Sequence, residues 1–150
     1  MKKLSLLPAL AFLILFACKS EHPDLKTAYD LYKDGQSIKQ YIITNSATLK
    51  NDAKLVDNRI RNEDKESVFA ISEVYNHLEF ADAAFAKMNG KERAVPGHEK
   101  ESNGATPIDP KTSPAQVLMM QKNYRDSLAS IKIDIDAAAT LLNQLKTKFH

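Results

Sequence analysis

The chain has one cysteine, no tryptophan and four glycines in 150 residues, and only 7% of it is aromatic. A lone cysteine excludes an internal disulfide framework and any Cys-x-x-Cys metal or haem-attachment site. Sparse aromatics argue against a β-sandwich, which leans on aromatic and β-branched strands. Also missing are a His-Glu-x-x-His pair, a Gly-rich phosphate loop and a Gly-x-Ser-x-Gly turn, so no enzyme class is indicated and no catalytic residue is assigned. An excess of one charge is lacking too. Lys and Arg number 21 against 19 Asp and Glu. Lys2 and Lys3 sit in the leading segment, which leaves 19 of each sign, interspersed, over the remainder. A neutral, mixed surface excludes nucleic acid as the expected partner, because that contact calls for a basic face. With 43% hydrophobic and 27% charged residues the composition is that of a globular chain, and the length fits one domain.

There is a single long apolar run. After Met1-Lys2-Lys3 it extends from Leu4 to Phe16, thirteen residues that rise about 20 Å as a helix, short of the roughly 30 Å bilayer core. A charged start followed by a short apolar stretch reads as a secretory signal. The run closes on Leu15-Phe16-Ala17-Cys18, which resembles the lipobox of bacterial lipoproteins, with Phe16 bulkier than the usual occupant. The resemblance implies a signal peptide over residues 1–17, cleavage before Cys18 and acylation of that cysteine. It implies membrane anchoring through Cys18 and a place in the cell envelope, at the outer membrane, on its periplasmic or its external side. Acylation would also account for the unpaired cysteine, and several acyl chains anchor firmly where one alone does not. Residues 18–24 then form a tether. Its Lys19, Glu21 and Asp24 are partly similar to the signal that exports some Gram-negative lipoproteins to the cell surface.

The remainder, residues 25–150, reads as helical. Pro23 or Asp24 can open a first helix over residues 24–61, with Ile42, Ser46, Leu49, Ala53, Val56 and Ile60 spaced alternately by four and three. Asp34-Gly35 and a Ser37-x-x-Gln40 capping box allow either a fresh helix at Ser37 or one helix carrying Gly35 at about 1 kcal/mol. A polar break at Asn62-Glu63-Asp64 leads to a second helix over residues 65–88, with Ile71, Val74, Leu78, Ala81, Phe85 and Met88 as its stripe. One continuous helix across that break is the open alternative. Asn89-Gly90 is a stop signal. Residues 91–112 hold three of the six prolines and show no period, so the expectation is a long loop, disordered or loosely held. A third helix follows from Ser113. Ser113, Pro114 and Gln116 make a capping box with proline in the first turn. Val117, Gln121, Tyr124, Leu128, Ile131, Ile135, Ala138, Leu142, Leu145 and Phe149 draw a heptad seam with one polar member. The expected fold is all-α, an up-down-up bundle of three helices with coiled-coil-like seams.

Few side chains carry chemistry. Glu73 and His77, one turn apart, could share a metal, but di-iron bundles use a Glu-x-x-His pair on each of two helices and none occurs here. Met88, Met119 and Met120 could ligate haem, although methionines at helical spacing usually fill a core. No metal or cofactor ligand is therefore assigned. Gln121 either fixes register within the seam or marks a seam end open to water.

Leu78-x-x-Ala81 with Met88 near the helix end, a Pro-rich gap and a long helix bearing Gln121-Lys122 are similar to small helical lipoproteins filed as viral A-type inclusion protein, over Ser67 to Leu145. Those proteins carry a Trp near the end of the middle helix that this chain lacks. The resemblance implies a helical envelope lipoprotein and no specific activity. The expected function is a lipid-anchored structural or protein-binding role, with a haem- or metal-binding bundle as the competing class.

Overall fold

The computed structural model describes residues 21–60, 65–102 and 104–149. Residues 1–17, where a signal peptide is expected, and Cys18, Asn62 and His150 lie outside them. Three helices form, α1 (Pro23–Ile60), α2 (Lys65–Ala86) and α3 (Pro114–Lys148), with no strand among the described residues. None of the helices is long and apolar enough to cross a membrane.

Helix α3 begins as its sequence dictates. Ser113 is extended (φ −68°, ψ 151°) and its hydroxyl accepts from the Gln116 amide at 3.3 Å, while the Gln116 carboxamide accepts from the Ser113 amide at 3.0 Å. These reciprocal bonds satisfy amides that have no partner inside the helix. The seam is buried from Val117 through Leu145, with Phe149 half-buried against the same core. On α1 the stripe of Ile42, Ser46, Ala53, Val56 and Ile60 is buried and Leu49 packs beside it; on α2, Ile71, Val74, Leu78 and Ala81 are buried. Each fully buried aliphatic side chain contributes about 1.5–3 kcal/mol, so these stripes hold the bundle together.

Cross-helix bonds fix the directions. Arg125 Nε donates to Asp34 at 2.7 Å, Tyr41 OH to Asp136 at 2.7 Å and Lys146 Nζ to Asp52 at 2.6 Å, so residue numbers rise together and α1 and α3 are parallel. His77 lies 3.0 Å from Asp134 and Lys148 Nζ donates to Ser67 at 2.8 Å, so numbers fall along α2 as they rise along α3, and α2 is antiparallel to both other helices. The topology is up-down-up. Ser46 of α1 donates to Asp82 of α2 at 2.9 Å, so the two lie side by side and are not one continuous helix.

Of the two readings of Gly35, the structure has the single helix: Gly35 is buried inside a continuous α1, its bare Cα facing the Tyr124 ring and Leu128. One expectation needs correction. The second helix ends at Ala86, not Met88, and Gly90 (φ +71°) takes the left-handed conformation that turns the chain away.

Helix lengths explain the rest. At about 1.5 Å per residue, α1 spans about 57 Å, α3 about 52 Å and α2 only about 33 Å. The first turns of α3 therefore have no α2 beside them. The described residues of 91–112 fill that space, and they are packed, not loosely held. Val95 is fully buried and joins Ala28, Tyr32 and Val117 in a second small core. The segment also ties to itself, the Ala94 amide donating to the Thr106 carbonyl at 2.9 Å and the Thr106 amide to the Glu92 carbonyl at 3.0 Å.

Candidate functional site at the tether end

Three devices hold residues 91–112 against the N-terminal end of α1. The first centres on Glu92, whose side chain is only 13% exposed. It accepts from Tyr32 OH at 3.0 Å, Gln36 Nε2 at 2.6 Å and Lys39 Nζ at 2.7 Å. Tyr29, Tyr32, Gln36 and Lys39 follow helical spacing beside the seam of α1, so one face of the helix presents successive partners to the segment. Burial pushes the Tyr32 phenol up to about 12, helped by the Glu92 carboxylate. Burial does the same to Tyr124, with the charge of Glu92 adding to it, again to about 12. Both phenols keep their protons at neutral pH, so they act as donors and packing groups.

The second device is Gln121. It is 1% exposed, which overturns a seam end open to water. Its Nε2 donates to the Arg93 carbonyl at 2.8 Å. The polar interruption falls where the seam's partner changes from a helix to a backbone carbonyl that needs a donor. Gln121 Oε1 has no hydrogen-bond partner.

The third is His98. Its ring stacks on Tyr29 with centroids 3.7 Å apart and planes 3° from parallel. Its Nε2 lies 2.6 Å from Glu21 Oε1, and since a carboxylate only accepts, that nitrogen carries the donated proton. Glu21 stands three residues after Cys18 and two before α1, so the residues leading into the first helix are bonded to the loop.

Two hollows flank this region. One, of about 410 Å³, lies where α3 outruns α2 and is lined by Met88, Met120, Tyr124, Gln121, Lys91 and Arg93. The other, of about 380 Å³, lies inside the loop against α1, with Leu25, Ala94, Pro96, Pro107, Ile108 and Pro110 among its walls.

The sequence candidates fare unevenly. Cys18 falls outside the described residues. Glu73 and His77 do not converge; His77 pairs with Asp134 of α3, and Glu73 accepts from Asn76 at 3.3 Å. Met88 and Met120 reach the same hollow, Met119 is exposed, and no histidine lines that hollow. Among the described residues no three His, Cys, Asp or Glu side chains gather as metal ligands. The partners of Glu92, and the Glu21–His98 bond, were not foreseen. Their one trace in the sequence is the Tyr29, Tyr32, Gln36, Lys39 spacing.

No protein family matches the chain, nor does any curated protein or solved structure.

Proposed function

We propose that this protein is a lipoprotein of the bacterial cell envelope, anchored by acylated Cys18, whose bundle serves a structural or protein-binding role. The observation that carries the reading is the Leu15-Phe16-Ala17-Cys18 box, closing the chain's one long apolar run on its one cysteine. Supporting it, α1 opens at Pro23, five residues after that cysteine, so a bundle so anchored would stand directly on the lipid surface. For a protein-binding role, the support is apolar side chains left in water. Phe69 and Phe80 are 65% and 68% exposed, and eleven residues, or three turns, put them on one face of α2. Aromatic side chains of this kind are enriched at protein contacts.

Replacing Cys18 by Ser tests the anchor. The variant should leave the membrane fraction or accumulate as unprocessed precursor, read by fractionation and intact mass. A Cys18→Ser protein that still sediments with membranes at the mature mass would contradict the reading.

A further inference from the structure

We propose that the proline-walled hollow in the loop holds one acyl chain of the lipid on Cys18, an inference that rests on the acylation of that residue. The hollow measures about 380 Å³, inside the range of small-ligand sites, about 300–1,000 Å³. Its walls are Leu25, Ala94 and Ile108 together with Pro96, Pro107, Pro110 and Pro114, and the polar residues on the lining are Thr112 and Glu99. Proline has no N–H, so four of these residues present ring carbons and no backbone donor. The one charged side chain on the lining, Glu99, is already engaged, accepting from the Gly97 amide at 2.9 Å. Such a surface gives a polar ligand little to bond and favours a hydrocarbon, whose transfer from water is driven by its apolar area. The neighbouring hollow beside Met88 and Met120 carries Lys91, Arg93 and the Gln121 carboxamide, and suits a chain of methylenes less well.

Position selects which hydrocarbon. Glu21 is bonded to His98, and Pro96 and Glu99, within two residues of His98, belong to the wall. Cys18 is three residues before Glu21, and an extended chain covers at most about 3.3–3.6 Å per residue, so no more than about 11 Å of backbone can separate a lipid on Cys18 from the Glu21 backbone. Leu25, on the first turns of α1, forms another wall. The lipid is thus attached beside the mouth of an apolar hollow in its own protein. Lipoproteins of the kind the box resembles carry several acyl chains on this residue. One chain inside the loop leaves the others for the bilayer and clamps the tether end of the bundle flat against it.

The test uses the mature protein extracted from membranes of its own cells, grown with a fatty acid bearing a photoreactive diazirine. Intact mass counts the acyl chains on Cys18, and irradiation followed by peptide mapping locates the reacted carbons. A heavy-isotope copy without the diazirine is mixed in to reveal transfer between molecules. Expected are cross-links within one molecule to Leu25, Ala94 or Ile108, lost in Ile108→Asp. Because that variant could fail to fold, the map of the unaltered protein decides the question. Acylated protein whose cross-links fall only on phospholipid, on the helices away from the hollow, or on the heavy copy overturns the proposal and leaves the anchor standing. A Cys18 with no acyl mass removes both.

Discussion

Glu92 is the residue on which the tether end depends, because one carboxylate satisfies donors from three positions of α1. Tyr32 and Tyr124 pack around it with phenols held near 12. In the unfolded chain a tyrosine ionises near about 10. Above that pH the unfolded state has already lost protons that the folded state still binds, so stability falls as pH rises from about 10 to about 12. Below about 10 the contribution is fully present. Denaturant midpoints measured across this window should therefore decline more steeply in the wild type than in a Tyr32→Phe, Tyr124→Phe double variant. That variant starts less stable at neutral pH, because Glu92 loses a bond. Equal slopes would mean that the two phenols are not buried around Glu92 as described.

At the scale of elements, the seams were legible because each helix hides one stripe and the spacing of that stripe is set by helical geometry. Every seam residue of α3 from Val117 to Leu145 is buried, and the Ser113 capping box forms as its sequence spells it. Neighbours in sequence separate cleanly: Ile131 is 4% exposed and Ile133 is 68% exposed. Ile131→Ala should cost about 2–5 kcal/mol, whereas Ile133→Ala should stay within about 0.5 kcal/mol, both read by chemical denaturation. Similar losses at the two positions would refute the seam. Gly35 was left open in the sequence because local propensity marks it as a breaker, and what the spacing could not show is that its lack of a side chain leaves room against Tyr124. Residues 91–112 misled for their own reason. Their order comes from partners far off in sequence, such as Tyr32 with Glu92 and Glu21 with His98, and no periodicity within the segment announces them. Gln121 was visible as an oddity in the seam, but its partner, a loop carbonyl, was not.

For the whole molecule, the unequal helices decide the shape. Where α2 stops, the loop takes over, so one end of the bundle is irregular, proline-rich and tied to the tether by Glu21. The other end holds the C-terminus of α1 and the start of α2. If Cys18 is the anchor, the loop end faces the membrane and the far end stands about 57 Å of helix away from it. Acylation would leave Cys18 without a free thiol, so a cysteine introduced at Lys100 or at Arg59, both exposed, would be the one site a nitroxide label can modify. The most direct measurement is the collision of each label with oxygen dissolved in lipid and with a water-borne relaxant, on the acylated protein in vesicles. The expected result is a label at residue 100 in the headgroup layer and a label at residue 59 in bulk water. A label at 59 closer to the lipid than the one at 100, or both equally surrounded by water, would contradict a bundle anchored by its tether end.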